Sequence, residues 1–346
     1  MNKKLIAAAI AAVVAAPAVS AADTTLYGKA HVSIQSNDNG ATDNYSVNSN
    51  ASRLGVKGSE DLGDGLKAIF GYEMGYDITD GGANGPISAR NAYVGLAGGF
   101  GTVLAGRHDT PAKIAFYAAG TDFVGDSIVD MNNVAGKGTF TENRLDNAIA
   151  YVSPSFSGFT FAAAIVPGEG TGKARTTVTT SNTPGNGLND AYSLGLMYAG
   201  GGLKATLGYE VATQDYINNL LPTTTTALAT ADQKMWQLGV SYTFGDFTIG
   251  GNYEKDSDYA GANGIDRTAW GIAGKANFGN NYVVVNYANT DGDTGVALAN
   301  ADGYGLAVGH VFSKRTQVYA AYHATDYDAS TMQDKSAFAL GMIHSF

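Results

Sequence analysis

The sequence predicts an all-β fold, a 16-stranded antiparallel β-barrel that crosses a membrane. Three observations carry this. Apolar and polar residues alternate with period two through most of the chain, the pattern of a strand with one apolar face. Aromatic residues gather at the ends of those apolar faces, as at the two rims of a bilayer. The joints between strands alternate between short turns and long loops, as an up-and-down barrel requires. Composition narrows the field further. Only 15% of the 346 residues are charged, below the quarter usual in soluble domains, while Gly (46) and Tyr (20) are abundant. The absence of Cys excludes a disulfide framework and any thiolate-held zinc or iron–sulfur site. A net charge of −10 argues against a nucleic-acid partner.

The N-terminus comes before any strand. Met1-Asn2-Lys3-Lys4 is followed by an apolar run from Leu5 to Val14 and then by small residues ending in Ala21. A positive start, a short apolar core and small residues at Val19 and Ala21 describe an export signal cut after Ala21. The expected organisation is therefore a removed signal peptide, 1–21, and a single transmembrane barrel domain, 22–346. Without Lys3 and Lys4 the mature charge becomes −12 (19 basic against 31 acidic residues).

The expected strands follow in order. Residues 24–36 open the barrel, with Leu26, Ala30 and Val32 on one face and Lys29, His31 and Ser33 on the other. Segments 52–58, 64–78, 88–97 and 101–108 come next, and Arg53 is out of phase with Leu54 and Val56. Segments 147–153, 158–166, 190–199 and 203–210 continue the alternation, with Leu203, Ala205, Leu207 and Tyr209 set against Lys204, Thr206 and Glu210. The clearest case is 234–244, where Trp236, Leu238, Val240, Tyr242 and Phe244 alternate with Gln237, Gly239, Ser241 and Thr243. Segments 246–254, 267–278, 280–289, 302–312, 315–324 and 336–346 complete sixteen. Seven short joints are expected at Ser59–Gly63, Gly98–Phe100, Pro154–Ser157, Gly200–Gly202, Gly245, Gly279 and Ser313–Lys314. Eight long ones are expected at 37–51, 79–87, 109–146, 167–189, 211–233, 255–266, 290–301 and 325–335. That pattern puts both termini in the periplasm and needs no helix. A secreted β-sandwich would show the same alternation with its apolar face turned inward, but it rarely needs so many strands.

Several runs go beyond pattern. Thr25-Leu26-Tyr27-Gly28-Lys29, the stretch from Ser52-Arg53-Leu54-Gly55 to Leu66-Lys67-Ala68, Arg90-Asn91-Ala92-Tyr93-Val94-Gly95-Leu96, Phe100 to Arg107, Tyr151 to Phe159 and the closing His344-Ser345-Phe346 all resemble Gram-negative general porins. The resemblance covers the whole mature chain. It implies a trimeric outer-membrane channel whose third loop folds inward and narrows the pore, and 109–146 is the longest loop here. By resemblance, Asp122-Phe123-Val124-Gly125-Asp126 is the acidic loop tip, with Val124 in place of the usual small residue. The facing basic wall is Lys29, Arg53 and Arg90, with Arg144 as a further member. Alternation alone places Arg90 in phase with Ala92 and Val94, so its position on the wall rests on the resemblance. Acids on one side of a narrow lumen and bases on the other would orient solutes and sort ions. On the lipid side, Lys29 or Arg53 would cost about 2–4 kcal/mol at mid-membrane.

The resemblance also makes the terminal Phe346 the signal read by the barrel-assembly machinery. It implies a homotrimer with early strands at the interface, where the small outward residues Gly28 and Ala30 permit close approach. The implied partners are outer-membrane lipid and small hydrophilic solutes and ions. No cofactor is expected. The five His do not pair at metal-ligand spacing, so no metal is expected either. Gly106-Arg107-His108-Asp109 lacks an activated Ser, and Gly98-Gly99-Phe100-Gly101 lacks the Lys-Ser/Thr of a phosphate loop.

The leading expectation is passive diffusion through a water-filled pore. An outer-membrane barrel enzyme with a hydrolytic site at its rim, and a plugged adhesin or structural barrel, are the alternatives. A 16-stranded barrel is wide enough to hold water, which favours the channel. Loop 109–146 carries Asp109, Asp122, Asp126, Asp130, Glu142 and Asp146 against Lys113, Lys137 and Arg144, a balance of −3. Against the wall bases this is near neutrality, and acids at the mouths predict a mild cation preference that weakens with salt.

Overall fold

The computed structural model describes residues 23–81, 85–136, 138–168, 187–220, 229–293, 300–329 and 332–346. The expected export signal, 1–21, and Lys137 lie outside these residues. The strands are β1 (Asp23–Asp38), β2 (Asp43–Ser49), β3 (Arg53–Gly63), β4 (Leu66–Tyr76), β5 (Ile87–Gly98), β6 (Gly101–Asp109), β7 (Arg144–Val152), β8 (Phe159–Val166) and β9 (Ala191–Gly200). They continue as β10 (Leu203–Ala212), β11 (Gln233–Phe244), β12 (Phe247–Ser257), β13 (Arg267–Phe278), β14 (Asn281–Gly292), β15 (Ala301–Val311), β16 (Thr316–Tyr327) and β17 (Lys335–Ser345). All belong to one antiparallel sheet, and β1 pairs with β17, so the sheet is closed and has no free barrel edge. Two strands, β2 and β3, share one place in the wall. The upper half of β1 pairs with β2 and the lower half with β3. Seventeen segments thus make a barrel of sixteen strands.

The expected loop 37–51 is therefore mostly strand. Its alternation was short, and the left-handed Ala51 (φ 49°) interrupts the run between β2 and β3. The expected turn at Ser59–Gly63 lies slightly later, at Asp64 and Gly65, both with positive φ, because acidic Glu60 and Asp61 continue the strand. Helices, not expected from the sequence, occupy two loops: α1 (Pro111–Ala119) and α2 (Gln214–Leu220). Local chemistry explains α1. The Thr110 side chain accepts a hydrogen bond from the Lys113 N–H, Pro111 starts the first turn, and Gly120 closes the helix in the left-handed region (φ 71°).

Burial decides which way the faces point. Trp236, Leu238, Val240, Tyr242 and Phe244 are all about half exposed, whereas the interleaved Met235, Gln237 and Ser241 are each 2% exposed. The apolar face looks outward, which is the inverse of a β-sandwich and suits a lipid surround. Aromatic rings meet on this outer face, including Tyr209 with Trp236 (4.2 Å), Trp270 with Tyr287 (5.3 Å), and Phe244 with Phe247 (5.8 Å) at the opposite end of the strands. The seam closes at the last residue. The Gly28 N–H donates to the Phe346 carbonyl (3.0 Å) and the Phe346 N–H to the Gly28 carbonyl (3.1 Å). The Phe346 ring lies over Gly28, where any side chain would collide with it. The outward side of Gly28 is thus covered from within the chain.

Candidate pore constriction

The loop between β6 and β7 lies on the inner wall. Helix α1 packs on β9, β10 and β11, and the chain then continues along the inner faces of later strands. Glycines on those faces make the bed. A Cβ on Gly208 would stand 3.1 Å from the Ala112 Cβ, one on Gly239 would stand 2.5 Å from the Ala119 Cβ, and one on Gly303 would run into the Val134 carbonyl. Phe116, Met131, Val134 and Phe140 are no more than 1% exposed and form an apolar layer with Ala269, Ala273 and Ala288 of the wall. Burial of this kind, at about 25 cal/mol per Å2, favours the loop lying against the wall.

The tip carries the charges. Asp126 has a positive φ (61°), which turns its side chain to β1 and β3. There its carboxylate pairs with the Lys29 ammonium and, at 3.4 Å, with Arg53. Acid and base therefore touch at the tip instead of facing each other across water. Burial pushes the Asp126 carboxyl up, but Lys29 and Arg53 more than offset it and hold it below the usual range. Asp122 does not join this pairing. It is partly exposed, and its Oδ1 is sealed without a hydrogen-bond partner. Burial, and then repulsion from Asp130 and Asp126, keep its carboxyl well above the ordinary range. Asp130 is pushed to about 7 by burial and by Glu142. Glu142 is itself raised, mainly by burial, although it accepts a 2.6 Å hydrogen bond from the Tyr117 hydroxyl and faces Lys113 at 3.5 Å.

The remaining wall bases are paired beside the tip. Arg90 meets Glu73 of β4 at 2.5 Å, and the Tyr27 hydroxyl donates to the same carboxylate at 3.1 Å. A register shift between Tyr72 and Met74 explains how Arg90 reaches the lumen against its parity. Tyr72 pairs with Ala92 but Met74 pairs with Ala89, so an extra residue in β5 reverses the side on which Arg90 falls. Arg144 meets Asp109 at 2.8 Å, and its Nε donates to Asn91 at 2.7 Å. The sequence points to all four bases and both tip acids, but not to Glu73, Asn91 or Glu142 as partners. Glu73 was within reach, since it is the lone charge between outward Tyr72 and Met74. Lys204 of β10 sits over Gly120 at the C-terminal end of α1, where the helix dipole favours a cation.

Residues 7–330 match the family model described as Gram-negative porin. Outer membrane porin protein 32 of Delftia acidovorans is 30% identical over 99% of this chain and 95% of its own length. The major outer membrane protein P.IB of Neisseria gonorrhoeae is 31% identical over 59% of this chain, and the chain spans 56% of that relative's length. Among solved structures, the anion-selective porin from Comamonas acidovorans superposes with a TM-score of 0.73 at 24% identity, covering 94% of this chain and 100% of that one. A closed barrel with an outward apolar face, a charged inner wall and a family match over nearly the whole chain lead to one conclusion: the chain belongs to the Gram-negative porin family.

Proposed function

We propose that the chain is an outer-membrane channel, and not an enzyme, for passive diffusion of ions and small hydrophilic solutes. The lumen is narrowest where the tip of the loop meets Lys29 and Arg53. The observation that carries this reading is the sidedness of the wall, apolar toward lipid and charged toward the interior, with the loop laid along that inner wall. Lys29, Arg53, Arg90, Arg144, Asp122 and Asp126 line the constriction. Because five of these six charges are held in ion pairs, Lys29 and Arg53 with Asp126, Arg90 with Glu73 and Arg144 with Asp109, selectivity is weak, with a mild cation preference at and above neutral pH. This differs from the anion selectivity of the similar Comamonas porin. In planar bilayers the purified protein is expected to give stepwise conductance. A silent barrel, or clear anion preference across a neutral salt gradient, overturns the respective claim.

The working unit in this reading is a homotrimer seated in outer-membrane lipid, delivered by the barrel-assembly machinery acting on Phe346. Since the Phe346 ring covers Gly28, the close approach between copies falls on Ala30 and the neighbouring outward residues. A mass measurement in mild detergent that finds only monomer removes the trimer.

A further inference from the structure

The returning limb of the loop, residues 138–141, is fastened to the wall by three buried charged side chains. Glu254 and Asp256 lie two apart on the inner face of β12, and Arg267 lies opposite Asp256 on β13. Their side chains are 0%, 1% and 5% exposed. The Arg267 guanidinium meets Asp256 at 3.3 Å and Glu254 at 3.6 Å, and its face rests on the Tyr259 ring at 5.3 Å. One nitrogen, Nη2, leaves the wall and donates to the carbonyls of Gly138 (2.8 Å) and Thr139. Glu254 completes the grip. It accepts from the Thr141 N–H through both oxygens (2.9 Å each), from the Thr141 hydroxyl (2.8 Å) and from Gln237 (2.8 Å).

The grip extends beyond the limb. Gly138 and Thr139 donate their N–H groups to the Asn132 carbonyl at 2.9 and 3.1 Å. The Asn132 N–H donates to Asp130 Oδ1 at 2.8 Å, and Asp130 Oδ2 accepts from the Asp126 N–H at 2.6 Å. Asp126 then meets Lys29 on β1. An unbroken series of hydrogen bonds thus runs from β13, through the loop, to β1, five strands further round the wall. The buried charges are costly, and a triad of this kind is often replaceable by apolar residues without loss of stability. The pattern makes sense if their work is done on the loop.

We propose that Arg267, with Glu254, is a positioning latch that sets the tip of the loop against Lys29 and so fixes the pore width and its charge balance. This rests on the reading that loop 109–146 narrows the pore. The wall lies directly behind the limb, so a released limb can move only into the lumen. Without the latch the Asp126 carboxylate is no longer held at Lys29 and Arg53, and the pore becomes both narrower on average and less fixed in selectivity.

Two variants test this in the full-length protein: Arg267→Met, and the triple change Glu254→Leu, Asp256→Leu, Arg267→Met, which leaves no unpaired buried charge. Both are read by single-channel recording and reversal potential, beside a heat-resistance measurement on the folded barrel. The expected result is a lower mean conductance with frequent partial closures and a changed reversal potential, in a triple variant whose heat resistance matches the wild type. Quiet, wild-type currents from a folded triple variant overturn the latch. So does failure of both variants to fold, which would make the triad a barrel-folding element. A control separates the underlying reading: the chain has no Cys, so Asp126→Cys can be modified with a bulky methanethiosulfonate reagent. A block of current with quiet latch variants leaves the constriction standing and removes the latch, whereas no block removes both.

Discussion

Replacing Asp126 with Asn tests the charge arrangement at the tip most directly. Its carboxylate is the partner of both Lys29 and Arg53, so the change removes one negative charge and releases two positive ones from pairing. A unit charge about 5 Å from a permeating ion is worth about 0.8 kcal/mol in water. Screening over about 8 Å at physiological salt reduces that to about 0.4 kcal/mol. The cation loses this amount and the anion gains it, so the selectivity ratio moves by about 0.8 kcal/mol, roughly fourfold toward anions. The reversal potential across a KCl gradient in a planar bilayer reads this ratio. The shift is expected to shrink as the salt concentration on both sides rises. An unchanged reversal potential at low salt would refute the reasoning, because it would mean that permeating ions do not pass near Asp126.

Two further outcomes are expected. Between pH 8 and pH 5 the channel should turn toward anions, because Asp130, with its carboxyl near 7, takes up a proton while the depressed Asp126 stays charged; a pH-independent reversal potential, or the same response in Asp130→Asn, counts against this. Deleting Phe346 removes both closing hydrogen bonds to Gly28 and the ring above it, so outer-membrane levels should fall while any inserted channels conduct normally, and unchanged levels would sink the assignment of an assembly signal.

Most of the wall was legible in the sequence because a strand with one face in lipid has a period that a reader can count. Trp236 to Phe244 needed nothing beyond alternation. The failures have physical causes of their own. A bulge reverses parity without leaving a mark in composition, so neither the side of Arg90 nor the continuity of β2 with β3 could be counted out. Helix α1 announced itself through Thr110-Pro111 and Gly120, a cap-to-cap signature that strand counting passed over. Within the loop no period exists at all. Resemblance named Asp122 and Asp126 together, but only the backbone path could show that one meets the wall and the other does not.

The glycine bed on the inner wall has a consequence for the order of assembly. The loop belongs by sequence to the strands before and after it, β6 and β7, yet its bed and the fastenings of its returning limb lie on β9 to β16. A growing chain therefore makes the loop well before it makes the surface on which the loop rests. Contacts of such long sequence separation form late. The barrel must pass through a stage in which its wall is nearly complete and its bore is still wide, and the narrow passage is the last part of the molecule to exist. Hydrogen exchange during refolding should find the amides of 138–141 protected only after those of β13 and β15; protection in the reverse order would mean that the loop shapes the wall, and not the wall the loop.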